Sequence, residues 1–238
     1  MPARRLSVVI PVYDEVATLP TLLERALDVD LSPLGLTREL IVVDDGSTDG
    51  SRALLEEFAR NRTAGDLLVL AHERNRGKGA ALRTGFAAAT GDLVLVQDAD
   101  LEYDPRDWER LLRRQREGDL DVVYGSRLLE PSNRRHASLP AYLGGRCLTL
   151  LTNALFRTHL TDEPTGYKLF RRSLLMDLDL ECERFEFCPE VTARIARRKI
   201  PIAEVPIRYQ PRGKAEGKKI GARDFFEAVW VLLRERVR

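Results

Sequence analysis

Five short apolar runs limit what this chain can fold into. Leu6–Val12, Glu39–Val43, Leu67–Ala71, Leu93–Gln97 and Asp121–Tyr124 are near-continuous stretches rich in Val, Ile and Leu. Runs of this kind suit strands buried on both faces. Helical patterns lie between them: Thr18–Leu27, Ser51–Arg62, the Ala-rich Gly79–Ala89, and Pro105–Arg116. Ser47, Thr48 and Asp49 precede the second of these and are good helix caps, and Pro105 suits a first helical turn. Strands alternating with helices imply an α/β fold, a three-layer α/β/α sandwich on a mostly parallel, Rossmann-like sheet. In such a sheet ligands sit outside the carboxyl ends of the strands.

The pattern changes after about Arg127. Leu139–Phe156 reads as a helix, Thr161–Phe170 as a turn and strand, Phe187–Arg198 as a helix, and Ile200–Tyr209 as a Pro-punctuated extended stretch. Gln210–Gly221 is a Gly- and Lys-rich loop, expected to be mobile, and Arg223–Arg238 an amphipathic helix. At 238 residues with no linker, repeat or low-complexity tract, one domain is expected. Residues 1–127 form its first half and 128–238 its second.

Charge and cysteine content narrow the classes of function. Lys and Arg total 38 against 37 Asp and Glu, which argues against a nucleic-acid binder. The charge is uneven, however. Arg194–Arg238 holds 13 basic and 5 acidic residues, a local excess that suits a phosphate or an anionic surface. Cys147, Cys182 and Cys188 have no zinc-ligand spacing with His72, His136 or His159, and an odd number argues for a reducing compartment. No secretory signal and no run of the roughly 20 apolar residues needed to span a bilayer is evident. A cytoplasmic location is expected, with room for attachment to a membrane surface.

The carboxylates carry the chemistry. Asp44-Asp45 ends the second run and Asp98-Ala99-Asp100 the fourth. A parallel sheet brings both pairs to one edge. Asp98 and Asp100 are two residues apart, so an extended chain turns both to one side, where they repel unless a cation lies between them. Hard oxygen ligands suit Mg²⁺ or Mn²⁺, with substrate phosphates completing the shell. Arg74-Asn75-Arg76-Gly77-Lys78-Gly79 opens a helix and suits a diphosphate contact, although it matches neither a P-loop nor a dinucleotide fingerprint.

These motifs together resemble the inverting glycosyltransferases of family 2, of the GT-A fold. The resemblance rests on Val9–Glu15, Val42–Asp49, Asn75–Gly79 and Asp98–Asp100. Gly125–Arg127, Thr165–Arg171, Phe187–Glu190 and Glu216–Ile220 point further, to the dolichyl-phosphate mannose/glucose synthase-like branch. It implies that Pro11, Tyr13 and Glu15 line a nucleotide pocket, with Asp44, Asp45, Lys78 and Ala99 also on the donor side. It implies that Asp98 and Asp100 hold the metal, joined by Glu102 where relatives often carry Gln. Arg127, Arg212, Lys218 and Lys219 then hold an acceptor phosphate, with Asp100, Arg127 and Arg212 as the catalytic set. Two departures are Asp14, where Asn is usual, and Lys218-Lys219, where Ser-Lys is common.

The reaction implied moves a hexose from a GDP- or UDP-sugar to a polyprenyl phosphate at the inner face of the membrane, with inversion. A membrane-anchoring partner protein fits the same picture. A phosphate monoester has a second pKa near ~6, so its oxygen is already anionic at neutral pH and needs positioning rather than a base. Glu190, in the setting of Phe185, Phe187 and Pro189, reads either as a base of raised pKa or as a structural carboxylate holding the basic loop. Other readings remain: a saccharide or protein hydroxyl acceptor, a nucleotidyltransferase, or a nucleotide-sugar-binding regulator. In Arg223–Arg238 a stripe of Phe225, Val229 and Leu233, widened by Phe226, Trp230 and Val237, suits either an interfacial helix or packing on the protein's own sheet. Leu139–Phe156 is a second candidate membrane surface.

Overall fold

The computed structural model describes residues 4–60, 67–135, 139–212 and 222–238. Its strands are β1 (Arg4–Val12), β2 (Leu36–Asp44), β3 (Leu67–Ala71), β4 (Leu93–Val96), β5 (Val122–Ser126), β6 (Lys168–Arg171) and β7 (Ala203–Pro206). They form one sheet in the order β3-β2-β1-β4-β6-β5-β7. β3, β2, β1 and β4 are mutually parallel, as are β5 and β7. β6 runs antiparallel between β4 and β5. The five apolar runs are all strands, and the strand expected within Thr161–Phe170 is β6.

The helices are α1 (Leu19–Asp28), α2 (Ser51–Arg60), α3 (Lys78–Ala88), α4 (Trp108–Gly118), α5 (Leu139–Phe156), α6 (Arg172–Asp177), α7 (Phe187–Arg197) and α8 (Ala222–Val237). Pro105 opens a short 3₁₀ turn, Pro105–Asp107, rather than α4 itself; Asp104 caps that turn by accepting from Arg106 N. Alternation along the strands divides the core into two layers. Leu6, Val8 and Ile10 of β1, with Leu40 and Val42 of β2, face Leu19, Leu22 and Leu23 of α1 and Leu111 and Leu112 of α4. Val9, Ile41 and Val43 face the other way, toward Leu82 and Phe86 of α3 and Val191 and Ile195 of α7. Each such side chain stabilises the fold by roughly 1.5–3 kcal/mol relative to exposure. This is the three-layer sandwich expected.

α5 and α8 lie outside this sandwich. Their inner faces pack against α7, through Leu148, Ala193, Ala228 and Leu232. The amphipathic stripe of the last helix therefore divides. Phe225 and Val229 pack inward, whereas Phe226, Trp230, Leu233 and Val237 are exposed. The inward face meets helices α5 and α7, not the sheet. No helix of the described residues is long and apolar enough to cross a membrane. Lys218 and Lys219, and the loop expected over most of Gln210–Gly221, lie outside the described residues.

Candidate functional site

The sheet reverses its strand order between β1 and β4, the position at which open α/β sheets hold ligands. The chain leaves β1 through Tyr13, Asp14 and Glu15, and leaves β4 toward Asp98 and Asp100. Pro11 lies beyond the last rung joining β1 to β4, at Val9–Val96, so its missing N–H costs no ladder bond there. Asp14 adopts a left-handed φ of 52°, a conformation Asn and Asp tolerate better than most residues. Its carboxylate accepts from Thr48 N at 2.8 Å, and its N–H donates to Ser47 Oγ at 3.0 Å. An Asn side-chain oxygen could accept the same bond from Thr48.

Asp44 and Asp45 stand at the same edge but point inward. Asp44 is fully buried and pairs with Arg52, whose Nε lies 2.9 Å from Oδ2. Asp45 accepts from Arg76 N at 3.0 Å and Gly77 N at 2.7 Å, and its Oδ1 lies 2.6 Å from His72 Nδ1. Both carboxylates are spent on protein groups. Asp45 fixes the Arg74–Gly77 loop against β2, where Gly46 is needed because a Cβ there would overlap the Arg74 backbone.

Asp98 lies 2.5 Å from Lys78 Nζ. Burial disfavours the ammonium, but Asp98 outweighs it and Lys78 titrates above its ordinary range. The other side of Asp98 rests on Gly166, where a Cβ would overlap Oδ2. Asp100 is crowded: burial first, then Asp98 and Glu102, push its carboxyl up to about 7 against the pull of Arg212. Glu102 is engaged elsewhere, its Oε1 accepting from Arg212 N at 2.9 Å. No group of three His, Cys, Asp or Glu side chains is placed to hold a metal ion among the described residues. The three-carboxylate set Asp98, Asp100 and Glu102 is therefore not gathered. The pair Asp98 and Asp100 fits a cation that takes one or two carboxylates and completes its shell with substrate phosphates.

The arginines expected to be free for an acceptor phosphate are both ion-paired. Arg127 donates from Nε and Nη2 to both oxygens of Asp162, each at 2.7 Å, and stacks over Tyr209 at 5.2 Å. Burial works against each charge, yet the pair holds Asp162 below, and Arg127 well above, the ordinary range. Arg212 forks onto Glu15, at 2.5 and 3.1 Å, and its Nε donates to Asp100 O at 3.0 Å. It therefore ties the segment carrying Glu15 to the segment carrying Asp100, instead of presenting an open guanidinium.

Glu190 is fully buried and accepts from Cys182 N at 2.7 Å and Glu181 N at 3.0 Å, with Arg194 Nη2 at 2.7 Å. It is a structural carboxylate, and what it holds is the 181–182 backbone.

One turn, running from Thr161 to Tyr167, touches Arg127, Asp98 and Gln97, and sequence reasoning did not single out its acidic residues. Asp162 holds Arg127, Gly166 supports Asp98, Tyr167 donates from its hydroxyl to Gln97 Oε1 at 2.5 Å, and Tyr103 stacks on Tyr167 at 4.8 Å. Glu163 and Lys168 are fully buried beneath it. Burial pushes Glu163 up to about 7 despite Lys168, and burial lowers Lys168. The signal that was available is the acidic pair Asp162-Glu163 directly before Pro164-Thr165-Gly166.

A family model described as glycosyl transferase family 2 matches residues 7–179. The chain belongs to that family. Among relatives of this family 2 chain, the undecaprenyl-phosphate 4-deoxy-4-formamido-L-arabinose transferase of Klebsiella pneumoniae (strain 342) is 33% identical over 218 residues, covering 91% of this chain and 63% of the relative. The protein of the same name from Proteus mirabilis (strain HI4320) is 38% identical over 199 residues, covering 83% and 58%. The chain thus spans about three fifths of the length of these relatives. Glucosyl-3-phosphoglycerate synthase from Mycobacterium tuberculosis, solved with Mn²⁺, uridine diphosphate and phosphoglyceric acid, superposes with a TM-score of 0.71 at 23% identity, over 98% of this chain and 78% of that one. The same enzyme with Mg²⁺ and uridine diphosphate gives 0.70, likewise at 23% identity, over 98% and 80%. This family 2 chain therefore has the GT-A fold.

Proposed function

We propose that the protein transfers one glycosyl unit from a nucleotide sugar, UDP-activated in preference to GDP-activated, to the phosphate of a polyprenyl phosphate. The observation that carries this reading is the adjacency of two surfaces. The turn that supports Asp98 also packs on α5, where Pro164 lies 3.4 Å from the Cβ position of Gly145. The outer faces of α5 and α8 expose Leu139, Tyr142, Leu143 and Leu150, and Phe226, Trp230, Leu233 and Val237. A cluster of charged groups beside a broad apolar face suits an acceptor with an anionic head and an apolar tail. The relatives named for undecaprenyl phosphate support the same acceptor, and the neighbours solved with uridine diphosphate support the donor. The sugar need not be mannose or glucose, since the relatives are named for a modified arabinose.

Residues 1–127 then serve the donor and 128–238 the acceptor. Tyr13 and Glu15 border the nucleotide, with Arg212 holding Glu15 in place. Asp98 and Asp100 hold Mg²⁺ or Mn²⁺, which when bound stabilises negative charge on the departing diphosphate. Lys78, beside Asp98, adds positive charge on the same side. An acceptor phosphate oxygen attacks the anomeric carbon as the bond to the diphosphate breaks, so the configuration inverts and a nucleoside diphosphate leaves. No general base is required, in keeping with a Glu190 fully committed to backbone amides. The exposed α5 and α8 faces rest on the cytoplasmic leaflet, and an anchoring partner protein is not needed to explain them.

The test is the coupling of nucleotide release to the acceptor. With Mg²⁺ or Mn²⁺ present, adding polyprenyl phosphate should stimulate release of nucleoside diphosphate. Release of pyrophosphate, or equal stimulation by a sugar alcohol, would refute the reading.

A further inference from the structure

Arg146 stands out because of where its charge lies. It is the only charged residue in the 18 residues of α5. Leu139, Leu143, Arg146 and Leu150 follow one another at helical spacing of three or four, so they share a face. The three leucines are 67%, 55% and 59% exposed. A guanidinium in the middle of an exposed apolar stripe has its stem among apolar groups and its head in need of an anion.

Among the described residues Arg146 has no carboxylate partner. Its Nη1 donates to Thr161 O at 3.3 Å, a long bond to a neutral acceptor. Thr161 also joins the candidate site, its Oγ1 lying 2.6 Å from Ser126 Oγ, and the next residue, Asp162, takes up Arg127. Small residues bring α5 this close: Gly145 faces Pro164 and Gly144 faces Phe225 of α8. Arg146 is thus a half-buried cation where the apolar face meets the turn that supports Asp98, while Arg127 and Arg212 are neutralised by Asp162 and Glu15.

We propose that Arg146 binds the phosphate of the polyprenyl acceptor at the point where the lipid leaves the α5–α8 face. This rests on the acceptor reading given above. A guanidinium offers a fork of donors that matches two phosphate oxygens, and the hydrogen bond to Thr161 O turns that fork toward the site. The apolar residues on either side along α5 receive the first isoprene units.

The test uses the full chain and a short, water-soluble prenyl phosphate, with binding followed by calorimetry in the presence of nucleoside diphosphate and Mg²⁺. Arg146→Ala should weaken prenyl phosphate binding by about 10- to 100-fold, the loss expected for one charge-assisted hydrogen bond. Arg146→Lys, which keeps the charge without the fork, should fall between. Nucleotide affinity should not change, and Ala is no worse than Arg in a helix, so the fold is kept. Cosedimentation with phosphatidylglycerol vesicles lacking acceptor separates a general headgroup contact from the acceptor phosphate. Unchanged cosedimentation with weakened prenyl phosphate binding supports the proposal. Lost cosedimentation with unchanged prenyl phosphate binding overturns it in favour of a membrane headgroup contact. A wild-type chain that binds prenyl phosphate, with Arg146→Ala binding as tightly, overturns this assignment alone. A wild-type chain that binds none overturns the acceptor reading with it.

Discussion

Burial and the carboxylates of Asp98 and Glu102 push the Asp100 carboxyl up to about 7. Below that pH Asp100 holds a proton, which a divalent cation must displace. Mn²⁺ affinity in the presence of uridine diphosphate should therefore rise with pH toward about 7 and level off above it. Calorimetry across that range checks this, and Asp100→Asn should flatten the profile. Asp98→Asn and Asp100→Asn should each cut turnover by about 100-fold or more, the scale of losing one charge-stabilising contact in a transition state. Glu163 supplies a stability prediction. An unfolded glutamate titrates near ~4.3, whereas the buried Glu163 titrates at about 7. Between those values the folded state holds more protons, so this group's contribution to stability falls as pH rises through that window. Urea unfolding at pH 5 and pH 8 should show a smaller pH difference for Glu163→Gln than for the wild type, and equal differences would contradict the assignment. At this scale the sequence revealed the carboxylates at the strand ends, because strand direction sets their edge; Asp100 itself lies in a turn after β4, not in the extended chain expected. It did not reveal who neutralises whom: Arg127 finds Asp162 at a separation of 35 residues and Arg212 finds Glu15 at 197. No local spacing rule reaches so far, and both arginines consequently read as open phosphate clamps.

Among the elements, α8 was the most ambiguous in sequence, since an amphipathic stripe does not say which surface covers it. Packing answers half of that question. Leu232 is fully buried and Ala228 nearly so, against α5 and α7, while Phe226 and Trp230 are 69% and 66% exposed. Deleting the helix would disturb both faces together, so point substitutions are the better probe. Leu232→Ala should destabilise the fold by about 2–5 kcal/mol, as for a large-to-small change in a core. Phe226→Ser with Trp230→Ser should change stability by only about 0.5 kcal/mol each, as surface positions do, yet should abolish cosedimentation with anionic liposomes. Thermal melts and liposome sedimentation on the same preparations distinguish the two faces. Retained sedimentation of the double variant would remove α8 as a membrane contact. The first five strands were legible because β-branched apolar runs have few other uses. α6 was not legible, being a six-residue helix with too few turns to show a period.

Across the whole molecule, one sheet serves both halves of the chain. β6 and β7 come from the second half yet flank β5 of the first. The antiparallel β6 brings the Thr161–Tyr167 turn to the carboxyl edge of β4, beside Asp98. The strands were readable from the apolar runs, but this insertion was not, because strand order depends on long-range packing rather than on any single segment. Its consequence is that the turn supporting Asp98 also packs on α5, where the apolar surface begins. The central claim is that this arrangement joins a nucleotide sugar to a lipid phosphate. The most direct measurement is mass spectrometry of the organic phase after incubation with a panel of UDP- and GDP-sugars, undecaprenyl phosphate and Mg²⁺ or Mn²⁺. The account predicts a new lipid heavier by one glycosyl residue and still carrying a single phosphate, absent when EDTA is added. A lipid left at its starting mass with every donor, or a product carrying a second phosphate, would contradict it.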